Sequence, residues 1–399
     1  TITGKRHDFR IDYEVGFDDN GRVQGANITL MSRCGYSVDY SGPVNDRACL
    51  HIDNTYHIPA LQLISHRCKT NTQSATAFRG FGGPQGMFGI ETVMEEIAAT
   101  LKKDPLEIRK LNLYQDPAVS GTPDTMTTQY NQLIEDWVGD KVIAQVESQA
   151  LYAERRAAVQ AFNAQSKTRK RGLALVPLKF GISFTATHLN QGGALLVIYM
   201  DGSVSVNHGG TEMGQGLNTK MAQVCADGLG ISVDKVRVTA TDSQKVPNAS
   251  ATSASSGADI NGAAIMNATA QMRERLKPVA ARLLECQAED VSFANNAAWG
   301  GGKSVQWADL TKQAWLDRVG LSVTGFYMTR EIKYDFTTLN GRAFYYYCYG
   351  ASVSEVEVDT RTGEWWLKAV DIVHDVGRSI NPAIDKGQIE GAFIQGMGW

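Results

Sequence analysis

The 399 residues carry 39 Lys plus Arg against 42 Asp plus Glu, a formal net charge of −3, and 43% hydrophobic residues. That near-balance leaves no electrostatic footprint for nucleic acid, and no apolar run of about eighteen residues predicts a membrane-spanning helix. Length and apolar content predict a large buried core, in two or three domains or one two-part unit. The opening TITGKRHDFRIDYEV has no apolar h-region and no initiating Met, which predicts a cytoplasmic chain that is a piece of something longer.

In chain order, DFRIDYEVGF (8–17), VQGANITLMSRCGY (23–36) and LQLISHRCKTNTQSATAF (61–78) show the alternation and β-branched content of strands. Asp18-Asp19-Asn20-Gly21 predicts a hairpin turn between the first two. From 84 to 101 the apolar spacing is helical, and Asp104-Pro105 restarts a short helix with Asp104 as N-cap. A long amphipathic region, 132–165, ends this half. The basic run 167–171 reads as a solvated connector. New strands follow at 172–187, 194–200 and 203–209, then a helix over about 259–286. Residues 344–359 and 364–377 predict two strands joined by a turn at 360–363, and Asn381-Pro382 opens a last helix. The expected architecture is α+β in two mixed sheet-and-helix subdomains, 1–165 and 166–399.

The cysteines Cys34, Cys49, Cys68, Cys225, Cys286 and Cys348 lie at least fifteen positions apart. That excludes C-x-x-C zinc sites and ferredoxin-type clusters, and predicts reduced, mostly buried thiols. Asp371, His374 and Asp375 alternate along a strand end, which argues against a metal cluster. His51 and His57, six apart, fit no common metal-ligand spacing, and no G-x-S-x-G supports a hydrolase. Glycine is the first chemical clue: 39 residues, gathered at 80–83, 209–210 and 214–216. Each string alone is most often a tight turn. Three of them leading into helices predict backbone that approaches a phosphate or cofactor closely.

The strings TAFRGFGGPQGM (76–87), LKFGISFTA (178–186), GGTEMGQGLNTKMAQV (209–224), VPNASATSASSGADINGAA (246–264) and INPAIDKGQIEGAFIQGMG (380–398) name the chemistry. In this order they resemble the molybdopterin-binding part of the xanthine dehydrogenase and aldehyde oxidase family. The resemblance implies a molybdenum held by a pterin dithiolene, with no metal-ligating side chain. It implies that Arg79 and Ala254 lie in the molybdenum environment and that Met213, Gly214, Gln215, Ser255 and Gln395 bind the cofactor. An amide such as Gln395 offers a heterocycle both donor and acceptor.

On the substrate side, Phe81 and Phe184 match the aromatic pair that sandwiches a planar ring, and Thr185 matches a polar substrate contact. An isolated Phe is more often core packing, but Phe81 stands between glycines. Arg47, in DRACLHIDN (46–54), matches the arginine that xanthine-converting members carry and aldehyde oxidases replace. A guanidinium there would stabilise charge developing on a purine during catalysis, whereas spacing alone would leave it a solvated surface charge.

The implied activity is hydroxylation of hypoxanthine to xanthine and of xanthine to urate with water as oxygen source. The implied partners are an Fe–S/FAD domain or subunit and a second copy of the enzyme. The 2Fe–2S clusters, FAD and NAD are expected only in the full enzyme, because their signatures are not in this sequence. The catalytic glutamate and a second active-site glutamate are expected outside residues 1–399, so this stretch alone is expected to be inactive. The alternatives are an aldehyde or N-heterocycle hydroxylase of the same family, or a non-catalytic cofactor-binding or assembly piece.

Overall fold

The computed structural model describes residues 4–121, 125–246 and 248–399; Pro247, inside the 246–264 motif, and the first three residues lie outside the described residues. Strands β1 (Phe9–Phe17) and β2 (Val23–Gly35) form the expected antiparallel hairpin, with Phe9 opposite Ser32. Asp18 builds its turn: the carboxylate accepts the N–H of Asn20 and of Arg22, both at 2.9 Å, and Gly21 takes φ +96°. Strand β3 (Leu61–Lys69) is half the expected length and runs parallel to β2. Parallel neighbours need a crossover, supplied by α1 (Ser41–Leu50), a helix the sequence reading did not anticipate.

Helices α2 (Gly83–Leu101) and α3 (Pro105–Asn112) fall where expected, and the Asp104 side chain accepts from the Leu106 N–H at 2.9 Å. After the single turn α4 (Pro117–Ser120), the region expected to be one amphipathic stretch is two helices. They are α5 (Gly139–Gln149) and α6 (Tyr152–Gln165), broken at Leu151 with φ +49°. Strand β4 (Arg169–Ile182) leads to β5 (Gln191–Ile198), β6 (Val204–His208), α7 (Leu217–Leu229) and β7 (Val236–Val238). Helix α8 (Gly257–Leu284) is the longest, at 28 residues. A small meander β8 (Ser292–Ala294), β9 (Ala297–Gly300) and β10 (Lys303–Gln306) precedes α9 (Trp307–Leu316) and β11 (Ser322–Met328). The chain ends with β12 (Lys333–Asp335), β13 (Asn340–Arg342), β14 (Tyr346–Asp359), β15 (Trp365–His374) and α10 (Pro382–Met397).

These elements form two compact units. Unit 1 is Thr1–Gly181 with Lys333–Val376, and unit 2 is Ile182–Ile332 with Gly377–Trp399. The chain therefore leaves unit 1, returns to it and leaves again, whereas the expected subdomain boundary was a single one at 165/166. In unit 1 the sheets are β1-β2-β3, β15-β14-β4 and β12-β13. Their shared core includes Leu30, Ile52, Tyr56, Ile90, Met94, Phe344 and Tyr349. Unit 2 has a four-stranded sheet β11-β5-β6-β7 and the meander β10-β9-β8. Its core includes Leu196, Val206, Met221, Ala268, Leu276 and Trp307. The mixture of helices with small sheets is the expected α+β class. All six cysteines are free thiols; Cys34, Cys49 and Cys225 are buried, while Cys68 is exposed and Cys286 and Cys348 are half-buried.

Candidate functional site

In unit 1 the candidate residues gather where α1 meets α2. A side chain at Gly82 would collide with the Val44 carbonyl, and one at Gly86 with the Ala48 carbonyl. Glycine at both positions therefore lets the two helices touch backbone to backbone. Gly80 and Gly82 have φ +90° and +99°, and Phe81 between them is itself left-handed at +52°. Such strain in a non-glycine residue costs about 1–2 kcal/mol and concentrates at functional loops. The Phe81 ring meets Tyr40, the residue preceding α1, edge-on at 6.0 Å. Arg79 lies on the same loop, exposed.

Arg47 occupies the last turn of α1 and is buried. Its guanidinium lies 5.0 Å from the centroid of Phe180 and 5.0 Å from that of Phe344, a cation–π arrangement at both rings. Burial lowers its pKa to about 10, which leaves it charged at neutral pH. Asn54 fixes β4 beside α1 and α2. Its Nδ2 donates to Glu91 at 2.8 Å and to the Pro177 carbonyl at 2.9 Å, while its Oδ1 accepts from the Lys179 N–H at 3.0 Å. Beneath, Lys179 and Asp53 form a buried ion pair at 2.8 Å, and the Tyr114 hydroxyl donates to the same carboxylate at 2.6 Å.

In unit 2 the N-termini of α7 and α8 lie side by side: a Cβ built on Gly257 falls 3.9 Å from the Leu217 side chain. The loops that precede them are tied together, with the Thr211 N–H donating to Thr252 Oγ1 at 2.8 Å. The loop before α8 holds Ala254 and Ser255, left-handed in succession at φ +57° and +58°. The loop before α7 holds Met213, Gly214 and Gln215, with Met213 67% exposed. Glu212 caps this helix by accepting the N–H groups of Gly214, Gly216 and Asn218 at 2.9–3.0 Å. Burial works to raise the Glu212 carboxyl, but those backbone donors outweigh it and hold the group below its ordinary range. The glycine N–H groups expected to approach an anion thus already serve a carboxylate of the same loop. The Gln215 amide is engaged there too, accepting from Met213 N–H at 2.5 Å and donating to the Thr211 carbonyl at 2.8 Å.

Phe184 and Thr185 follow the end of β4, half-buried. Asn190 fixes that turn, accepting from the Phe184 N–H at 2.9 Å and donating to its carbonyl at 2.8 Å. Helix α10 docks on α7 by its first turn, through Lys220 to Asp385 at 2.5 Å and Asn381 to Gln223 at 3.0 Å. Gln395 lies ten residues beyond Asp385, about 15 Å along the helix at 1.5 Å per residue, and is exposed. Within unit 2 the structure therefore joins Met213, Gly214, Gln215, Ala254 and Ser255 at one pair of helix ends, and Gln395 lies on α10, whose first turn docks on α7.

Asp371 pairs with Arg155 at 2.6 Å, and no cluster of three potential metal ligands occurs among the described residues. No helix among the described residues is long and apolar enough to cross a membrane. Sequence reasoning missed Phe180 and Phe344, which flank Arg47. Phe180 stands in the quoted motif at 178–186, but nothing local marks Phe344, almost 300 positions from the arginine it faces.

Two sequence models of the molybdopterin cofactor-binding domain match the chain, over residues 1–113 and 145–399. Xanthine dehydrogenase of Oryza sativa subsp. japonica is 43% identical over 397 residues, 100% of this chain and 27% of that protein. Xanthine dehydrogenase/oxidase of Gallus gallus is also 43% identical, with the same coverage. The chain thus spans about a quarter of the length of these relatives. Among solved structures, quinoline 2-oxidoreductase from Pseudomonas putida 86 shares the fold with a TM-score of 0.82 at 23% identity, covering 97% of this chain and 49% of that one. The aldehyde oxidoreductase from Desulfovibrio desulfuricans ATCC 27774 does so with 0.81 at 24% identity, covering 99% and 40%. The fold, the paired helix ends and these matches agree: the chain belongs to the molybdopterin cofactor-binding domain family.

Proposed function

We propose that this chain is the molybdenum-cofactor part of a xanthine-oxidising molybdenum hydroxylase, acting on hypoxanthine and xanthine with an Fe–S/FAD domain or subunit and as a homodimer. The residues of unit 2 fit such a cofactor. The N-terminus of the long helix α8 offers a positive dipole end, a setting that favours anionic groups, beside the α7 end that Glu212 already caps. The successive left-handed residues Ala254 and Ser255 add strained backbone of the kind found at ligand sites. Met213, Gly214, Gln215 and Ser255 would hold the pterin, with Ala254 and Arg79 near the metal. Gln395, on α10, would hold the pterin as well. When bound, the cofactor supplies the two-electron redox centre of the hydroxylation.

The chain's own residues choose the substrate. Phe81, Phe184 and Thr185 would contact the flat heterocycle. Arg47 carries the purine reading: it is a buried, charged guanidinium held between two rings, where a developing negative charge gains most from it. Arg47→Met in the holoenzyme should lower kcat/KM for xanthine about a hundredfold, the scale of losing one such donor. Turnover of a small aldehyde should change less than about threefold. Equal losses on the two substrates, measured side by side, would remove Arg47 from substrate selection and favour an aldehyde-directed enzyme.

A further inference from the structure

Four residues after Arg47, at the end of α1, His51 is buried with both ring nitrogens engaged. Its Nδ1 lies 2.9 Å from the Arg47 carbonyl oxygen, and its Nε2 lies 3.0 Å from the Gly181 backbone nitrogen. These partners fix the proton. A backbone N–H only donates, so Nε2 accepts; a carbonyl only accepts, so Nδ1 must carry the hydrogen. Only the neutral Nδ1–H imidazole satisfies both, and protonating Nε2 would set it against the Gly181 N–H. The charged groups facing it from each packed element act the same way. Burial pushes the His51 pKa well below its ordinary value, with Arg47 on its own helix and Lys179 on β4 pushing further.

The ring does more than fill space. It packs on Phe180 at 4.8 Å and on Phe344 at 5.1 Å, the two rings that flank the Arg47 guanidinium. One side chain therefore ties the backbone of Arg47, the backbone next to Phe180 and both of these rings. We propose that His51, locked as its neutral Nδ1–H tautomer, is the positioning residue that sets the Arg47 guanidinium between Phe180 and Phe344, and so determines preference for purine over small aldehyde. This rests on the reading of Arg47 as a substrate-facing group.

Two measurements test it. In the holoenzyme, His51→Phe keeps an aromatic ring but loses both hydrogen bonds, whereas His51→Gln can place its amide oxygen where Nε2 accepts from Gly181. His51→Phe should lower kcat/KM for xanthine at least tenfold, mainly through kcat, with aldehyde turnover within threefold of the parent. His51→Gln should recover a substantial part of the loss. Arg47→Met is assayed beside them. If it changes the xanthine-to-aldehyde ratio while His51→Phe does not, the positioning role is wrong and the Arg47 reading stands. If Arg47→Met itself leaves the ratio unchanged, that reading fails first. The second measurement needs no substitution: imidazole 15N shifts of the native protein should show His51 as the Nδ1–H tautomer, unchanged from pH 5 to 9. An Nε2–H tautomer, or titration near pH 6.5, would overturn the proposal even if His51→Phe did not fold.

Discussion

Arg47 and Lys179 are buried cations in one unit, and neither is recognisable as such from its neighbours in sequence. Both show how partners distant in the chain change a residue's meaning. Lys179 and Asp53 are 126 positions apart, yet their side chains are 1% and 2% exposed and meet at 2.8 Å. Burial depresses the lysine's pKa while Asp53 raises it, with burial the larger effect. Removing one member of such a pair strands the other charge, at a cost of about 3–5 kcal/mol. Lys179→Met should therefore lower unfolding stability by about that amount, and adding Asp53→Leu should recover much of it. Urea unfolding of the three proteins checks this; a single variant within 1 kcal/mol of the parent would mean that the pair is not desolvated as described. At this scale the sequence revealed only what a motif carried. The quoted strings offered Arg47, Phe81 and Phe184 as candidates, whereas His51 read only as a poor metal-ligand spacing. Its proposed role depends on Gly181, 130 positions away.

Elements with a one-sided apolar pattern were legible, and elements buried on several sides were not. Helix α2 and the β1–β2 hairpin follow from periodicity and turn chemistry. Helix α1 was missed because its buried positions include Ser41, Asn45 and Arg47 beside Val44, Ala48, Cys49 and Leu50. No polar face sets a helical period, and its N-terminus has no side-chain cap. The break at Leu151 was missed because neither glycine nor proline marks it. What holds α1 in place is the glycine contact with α2. Gly86→Ala would press a methyl into the Ala48 carbonyl, and backbone cannot yield as a flexible side chain can. A loss of about 1–3 kcal/mol is expected, as for overpacked cores. Arg47 immediately precedes Ala48 on α1, so its ring contacts should loosen in the same variant. Thermal unfolding gives the first effect and xanthine KM the second. A Gly86→Ala protein as stable as the parent would contradict the close crossing.

For the molecule as a whole, the α+β class and the family were legible because five motifs stand in order along the chain. The interleaving of units was not. Strand β14 supplies Tyr347, Tyr349, Ala351 and Val353 to a core begun by β2 and α2, a pairing that no local pattern announces. The catalytic claim concerns the protein loaded with its cofactor. The most direct test is the rate of urate formation from xanthine by the purified holoenzyme, with an artificial electron acceptor, plotted against molybdenum bound per chain. The account predicts a rate proportional to bound molybdenum and abolished when the cofactor is stripped. Molybdenum-replete protein that oxidises aldehydes but forms no urate would contradict it, as would urate formation that continues without the metal.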